Sequence, residues 1–391
     1  MLKRLGTFVA SLSLVIGMAV PASAAGSSEK EPTFKPITEQ SAPQEVIVHF
    51  EESITSSITD EVLAEVNGEL TEKTEEFLVV KVEGNVSEAV ESFEALDAVS
   101  YAEPNVTLHV NYMPNDPAYH SLQYAPQKVG AEAAWDVTLS DPSVKIAVVD
   151  TGVDYNHPDL DGKVLEGYDF VDDDNDAIDE NEHGTHVAGI AAANTDNGEG
   201  IAGLAPEASI LPVRVLDADG SGSLDDVAQG IRYAADQGAQ VINLSLGGAV
   251  GTQTLEDAVN YAWEQGSVVV AAAGNSSTPL PSYPAFYENA IAVAATDQND
   301  TIAYFSNYGT WVDIAAPGVD IYSTIPNGGY ASYSGTSMAS PVVAGVAGLL
   351  AAQGKSAEQI RTALEETADD VRGTGTLFQN GRLNAAKAVQ H

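Results

Sequence analysis

Residues 145–154 read KIAVVDTGVD. Four apolar residues follow one another without polar alternation, then Asp150 and the turn-forming pair Thr151-Gly152 close the run. Such a run suits a strand covered on both faces, as in a parallel sheet, better than a strand with one wet face. A carboxylate at its carboxyl end is costly to bury unless something pairs with it, although as a turn former alone Asp150 would be unremarkable. The pattern recurs in SILPVRVLD (209–217), VINLSLGG (241–248), SVVVAAAGN (267–275) and AIAVAATD (290–297). Between these runs SLDDVAQGIRYAADQGA (223–239) and TLEDAVNYAWEQG (254–266) place their apolar residues at helical spacing. Strands alternating with helices predict a doubly wound α/β domain with a mainly parallel sheet, whose sites form beyond the carboxyl ends of the strands.

Several residues at such ends could carry chemistry. In EHGTHVAGIAAA (182–193), His183 lies in the first turn of a small-residue helix, and His186, three positions on, shares its face. The zinc-binding helix motif needs a glutamate and four-residue spacing, which are absent, so one histidine suits a general base and the other a packed core position. Asn275 ends its strand either as a turn residue or as an amide donor to an oxyanion. In GYASYSGTSMASPVVAGVAGLLAAQ (329–353), Ser337 opens an apolar helical run, either as a cap or as a nucleophile at the positive end of the helix. An acid, a histidine, an amide donor and a serine at one edge of one sheet form the set needed for acyl transfer.

The 391 residues are 44% hydrophobic, enough for one large core and a smaller one, and carry a net charge of −41. Four basic residues face nineteen acidic ones over 25–111, and ten face 38 over 112–391. This balance argues against nucleic acid or an anionic membrane as partner. The absence of cysteine excludes disulfides, thiolate metal sites and a cysteine nucleophile. Residues 1–24 read as a secretory signal, with Lys3 and Arg4, an apolar core and a small-residue cleavage site at Ala22-Ser23-Ala24, so a secreted protein is expected. After a polar lead-in, residues 45–110 alternate strand and helix patterns in a small α+β unit, ending in an expected strand pair over VSYAEPNVTLHV (99–110).

VVDTGVDYNHPDL (148–160), HGTHVAGI (183–190), SLGG (245–248), AAAGN (271–275) and GTSMASP (335–341), in this order, resemble the subtilisin-type serine peptidases, or subtilases. YAPQKVGAEAAWDV (124–137), RVLDADGSGS (214–223) and YPAFYENAIAVAATDQND (283–300) are similar to their thermitase-like branch. The resemblance covers residues 112–391 and implies a secreted serine endopeptidase acting on polypeptides. It implies that Asp150 orients the base His183, that Ser337 is the nucleophile, and that Asn275 donates to the oxyanion, leaving His186 structural. Ser245, Leu246, Gly247, Ala272 and Gly274 would wall the pocket for the substrate side chain, with Ser282 near its base. Three departures stand out: Glu182 before His183, Val187 where a cysteine is common, and Val342 where many relatives have histidine.

DFVDDDNDAIDENE (169–182) packs eight acids into fourteen residues. By pattern it is either a solvated loop or a gathering of hard oxygen ligands, and it is not an EF-hand. The resemblance implies calcium at Asp169, Asp172, Asp174 and Asp176 with the Ile178 carbonyl. It implies a tighter calcium site at Asp116, Asp159 and Asn197 with the carbonyls of Asn194, Glu199 and Ile201. It also implies that residues 25–111 are a ferredoxin-like propeptide, an inhibitor and intramolecular chaperone removed near residues 110–115 to leave a monomeric mature domain, 112–391. A catalytically silent calcium-binding scaffold is the alternative, and would be favoured by a missing member of the set; none is missing. A lipase would want a G-x-S-x-G elbow, which is absent.

Overall fold

The computed structural model describes residues 45–50, 56–65, 68–82, 84–106 and 112–391. The expected signal sequence, the lead-in and residues 107–110 of the expected closing strand pair lie outside them. The N-terminal unit runs β1 (Glu45–Phe50), α1 (Ser56–Glu65), β2 (Glu69–Lys73), β3 (Phe77–Lys81), α2 (Val86–Glu94) and β4 (Val99–Pro104). Its antiparallel sheet has the order β2-β3-β1-β4, the ferredoxin-like arrangement. Val46, Val48, Leu78, Val80 and Phe93 form its own small core. The strand β2, ELTEK, escapes the sequence pattern because it is mostly exposed and offers no apolar alternation.

Residues 112–391 begin with three short helices, α3 (Tyr119–Leu122), α4 (Tyr124–Val129) and α5 (Ala131–Trp135). The sheet follows as β5 (Lys145–Asp150), β6 (Tyr168–Asp169), then, beyond helix α6 (His183–Ala192), β7 (Ser209–Arg214). Helix α7 (Leu224–Asp236) leads to β8 (Val241–Leu244), and α8 (Gln253–Glu264) to β9 (Val268–Ala272), β10 (Ala290–Thr296) and β11 (Ile314–Pro317). All seven strands pair in parallel in the order β11-β10-β9-β8-β5-β7-β6. The hairpin β12 (Ile321–Ile325) and β13 (Gly329–Tyr333) precedes helix α9 (Thr336–Ala352), and α10 (Ala357–Glu366) and α11 (Ala385–Ala388) complete the chain. Among the described residues no helix is long and apolar enough to cross a membrane.

The central strands are buried along their whole length, as their unbroken apolar runs require. One face carries α6 and α9, the other α7 and α8, and each face has its own core. Helices α7 and α8 are amphipathic and begin with side-chain caps, Ser223 accepting from Asp226 N–H and Thr252 from Leu255 N–H. Helix α9 is buried on nearly all sides, which its run of Ala, Val, Gly and Leu allows. It crosses α6 so closely that a Cβ at Gly345 would stand 2.8 Å from the Ala191 carbonyl oxygen.

The segment before α3 is tied to the loop that follows α6. Asp196 N–H donates to Asp116 Oδ2 at 2.8 Å, Gly198 N–H to Asn115 Oδ1 at 2.6 Å, and Asn115 N–H to Asp196 Oδ1 at 3.1 Å. Gln123 exchanges both side-chain bonds with the backbone of Ala202, at 2.9 and 2.8 Å.

Candidate active site

Asp150 is the last residue of β5, a strand in the middle of the sheet, and is fully buried. The chain must turn immediately after it. Gly152 does so at φ 102°, where a Cβ would come within 2.6 Å of the Ile178 carbonyl oxygen, so only glycine fits. Asp150 Oδ1 accepts from Thr151 N–H at 2.8 Å and lies 2.7 Å from His183 Nδ1. Its Oδ2 is buried with no hydrogen-bond partner among the described residues. A carboxylate so placed gains most from an adjacent imidazolium.

His183 opens α6, and its side chain is 29% exposed, enough to reach a ligand while one edge of the ring faces Asp150. Burial pulls its pKa down, but the Asp150 charge and hydrogen bond, helped by the charge of Asp179, carry it above the usual histidine value. The N-terminal donors of α6 are taken by residues around it: Gly184 N–H by Thr151 Oγ1 at 2.9 Å, Thr185 N–H by Asp179 Oδ2 at 2.8 Å. Asp179 Oδ1 also accepts from Thr151 Oγ1 and from the N–H groups of Asn181 and Glu182. This buried carboxylate therefore caps the helix that carries His183 and holds the turn that carries Asp150. It lies within the acidic run, yet sequence reasoning did not single it out; its only signal was its place four residues before a helix-opening histidine.

His186 is fully buried, stacks on Tyr333 with ring centres 4.5 Å apart, and meets the Ala331 carbonyl through Nε2 at 3.1 Å. Burial drives its pKa down to about 4, so it stays neutral and packs the core. Glu182, the departure next to His183, holds φ 113°, a left-handed conformation unusual outside glycine. Its carboxylate accepts from Tyr333 Oη at 2.5 Å, which fastens the start of α6 to β13.

Ser337 lies in the first turn of α9, and its Oγ donates to the Ser245 carbonyl at 3.0 Å. Asn275 follows β9, and its Oδ1 accepts from Thr336 N–H and Thr336 Oγ1, both at 2.9 Å. With the carbonyl end of the amide so engaged, Nδ2 is the end left to donate. A Cβ at Gly335 would stand 3.6 Å from both Asn275 Nδ2 and Ser337 N, so the two nitrogens flank the same corner of the cleft. The Ser337 N–H, being in a first turn, has no acceptor within the α-helical ladder.

His183, Ser337, Asn275 and Ser245 line one cleft of about 950 Å³, together with Leu246, Gly247, Ala272, Gly274 and Ser282. Gly248 and Tyr283 exchange backbone hydrogen bonds, each 2.8 Å, which closes one wall. The structure thus brings together every cleft residue expected from the sequence. Thr336, which orients Asn275, and Asn307, which supports the Gly274 turn through Ser276 N–H and the Ala273 carbonyl, were not foreseen.

The acidic positions separate into two cases. Asp116 and Asp159 are both buried. Burial lifts Asp116 to about 6, with the charge of Asp159 adding to it, and burial likewise lifts Asp159. Asp116 Oδ1 is buried without a partner among the described residues, while Asn197 Nδ2 and Ile201 N–H donate to the two Asp159 oxygens. Tyr330 Oη also donates to Asp159 Oδ2 at 3.3 Å, and two buried carboxylates with one open oxygen fit a hard cation. In the other loop Arg214 already bonds Asp169 at 2.5 Å and Asp172 at 2.9 Å, and Tyr155 Oη bonds Asp176 at 2.8 Å. Asp174 accepts from Asp176 N–H. Among the described residues no three Asp, Glu or His side chains converge as a metal set.

The Subtilase family model matches residues 141–382, and the Fervidolysin N-terminal prodomain model matches residues 27–105. Thermitase of Thermoactinomyces vulgaris is 64% identical over 280 residues, which span 72% of this chain and 100% of that one. The thermophilic serine proteinase of Bacillus sp. (strain AK1) is 61% identical over 293 residues, 75% of this chain and 73% of that one. The alkaline protease of Shouchella clausii aligns end to end with both chains at 42% identity. Among solved structures, a protease from Pseudoalteromonas arctica superposes with a TM-score of 0.66 at 34% identity, over 71% of this chain and 99% of that one. A parallel sheet of this order, a matched family model over most of the C-terminal domain and identity above 60% to thermitase and to a thermophilic serine proteinase leave one assignment: the chain belongs to the subtilase family and is a subtilisin-like serine endopeptidase carrying a fervidolysin-type prodomain.

Proposed function

We propose that Ser337, His183 and Asp150 hydrolyse peptide bonds through an acyl-enzyme, and that the chain is a secreted zymogen which removes its own residues 25–111. The observation that carries this reading is the 2.7 Å Asp150–His183 pair, whose histidine lines the same cleft as Ser337. The Ser337 proton, directed at rest to the Ser245 carbonyl, swings to His183 as Ser337 Oγ attacks the scissile carbonyl carbon. Asp150 holds the imidazole in the required tautomer and balances the imidazolium. The oxyanion receives hydrogen bonds from Asn275 Nδ2 and Ser337 N–H. His183 then gives its proton to the departing amine, and water repeats the sequence on the ester. The backbone of Ser245–Gly247 offers an edge to which an extended substrate adds as a strand, and Leu246 and Ala272 favour an apolar side chain before the cut bond.

The reading is tested by treating secreted protein with a fluorophosphonate and mapping the label by peptide mass. Label on Ser337 supports it; a chain that takes no label, or takes it elsewhere, defeats it. The oxyanion role makes a separate expectation. Asn275→Ala should lose about 10²–10³-fold in kcat with KM little changed, as measured on a peptide anilide, because its donor acts on charge that exists only in the transition state.

Calcium belongs to this reading at one place. Asp116, Asp159 and Asn197, with the carbonyls of Asn194, Glu199 and Ile201, would hold it, and there it supplies only charge balance and cross-linking. A cation at the loop 169–178 would have to share its carboxylates with Arg214, so we carry the proposal forward for the Asp116 site alone. A ligand bound only by the folded form adds about 2.7 kcal/mol at a hundred times its dissociation constant. Chelation should therefore shorten the half-life of thermal inactivation severalfold, and Asp116→Asn should abolish that sensitivity. Equal half-lives with and without chelator in the wild type would remove calcium from the account.

A further inference from the structure

Pro341 lies inside α9, four residues after Ser337. Proline has no N–H, so the Ser337 carbonyl loses its α-helical donor, and the pyrrolidine ring crowds that same carbonyl. The orphaned oxygen does not go unmet: Ser245 Oγ donates to it at 2.7 Å. The direction of that hydroxyl is fixed from behind. Asn243 Nδ2 donates to Ser245 Oγ at 2.9 Å, so the Ser245 proton must point away, toward Ser337. Asn243 is in turn fixed by Ser340 Oγ, which donates to Asn243 Oδ1 at 2.7 Å. Asn243 and Ser340 are fully buried and Ser245 is 4% exposed, so water does not compete for these bonds.

We propose that Ser245 is a positioning residue, whose hydroxyl holds the peptide of Ser337 that Pro341 leaves without a helical donor. The inference rests on the peptidase reading above and adds to it. One residue carries three functions here: Ser337 supplies Oγ, its N–H faces the oxyanion, and its carbonyl takes the Ser245 bond. Releasing the carbonyl lets the first turn of α9 shift, and displacements of about 1 Å at reacting atoms cost on the order of 10²-fold in rate. The backbone of Ser245 would meet substrate whatever its side chain does, so the role of the hydroxyl is separable from the pocket wall.

The test is a mutant cycle on the full chain, read by fluorophosphonate labelling rate, by kcat and KM on a peptide anilide with an apolar residue before the cut bond, and by thermal melting. S245A should lose roughly 10- to 100-fold in kcat with KM within about twofold. S245T, which keeps the hydroxyl, should recover most of the loss. In the P341A background the restored N–H takes over the carbonyl, and adding S245A should then cost less than about threefold. A kcat for S245A within about twofold of wild type overturns the inference, whether or not its melting temperature falls. So does a loss of the same size in both backgrounds. If S245A is not secreted, recovery of labelled protein in the S245A/P341A double variant supports the inference, and its absence there overturns it. A wild-type chain that takes no label removes the peptidase reading and this inference with it, whereas a labelled wild type beside an unaffected S245A removes the inference alone.

Discussion

A Ser337→Ala chain is expected to leave the cell still joined to its N-terminal unit and to hydrolyse nothing measurable. Removal of the nucleophile from a subtilisin costs about 10⁶-fold in kcat, and the residual rate is what the oxyanion donors and substrate binding supply alone. The change deletes one oxygen at a half-exposed first-turn position and leaves the backbone of α9, the Asn275–Thr336 bonds and the Ser245 bond to the Ser337 carbonyl in place. Folding should therefore be spared while both activities vanish. Intact mass of the secreted product measures this directly: a wild type shortened by the segment up to about residue 111, beside a full-length variant, shows that the precursor cuts itself. If both are shortened alike, another protease performs the cut, and self-processing is withdrawn.

Asp150→Asn is the second large effect. The substitution preserves shape at the end of β5 but replaces an acceptor facing His183 Nδ1 with a group that can donate, so the imidazole is held in the wrong tautomer. The same change in a chymotrypsin-type triad costs about 10⁴-fold in kcat. A pH profile adds a sign to the magnitude. Burial depresses the pKa of His183, and the Asp150 charge more than reverses this, with Asp179 adding to it and the neighbouring His186 neutral. Activity needs the neutral base, so it rises with pH through that pKa. Without the Asp150 charge the pKa falls, and the acid limb of kcat/KM should move to lower pH as the plateau collapses. An acid limb that stays in place in the variant would mean that Asp150 does not set the charge of the base.

The fold was legible because the C-terminal domain states its strands in unbroken apolar runs. KIAVVD, SILPVR, VINL, VVVAA and AIAVAAT all became neighbours in one parallel sheet. Elements without that signature were missed: β6 is two residues long, β11 is four, and β2 is mostly polar. The cleft was legible for a related reason, since Asp150, Asn275 and the start of α9 sit at strand ends and helix starts, which a doubly wound sheet gathers at one edge. What the sequence concealed were the residues that hold these in place. Asp179 looked like one acid among eight and Thr336 like part of a hydroxyl-rich run, while Asn243 passed unremarked inside VINLSLGG. Each has at least one partner 28 to 97 positions away, a relation that local spacing does not encode. The loop 169–182 left two readings open by its charge alone, and it did not disclose that Arg214, remote in sequence, balances three of its carboxylates.

The tether between Asn115–Asp116 and the loop at Asp196–Gly198 bears on time as well as on energy. It joins positions about 80 residues apart, and a contact across so long a loop is expected to close late in folding. Contacts absent from the folding barrier act on the unfolding rate and leave the folding rate nearly untouched. For a protease surrounded by copies of itself this is the rate that counts, because an opened molecule is cut before it can close again. Cutting the tether, as in Asn115→Ala, is therefore expected to shorten the survival of each molecule among the others, and with it the lifetime of the whole population.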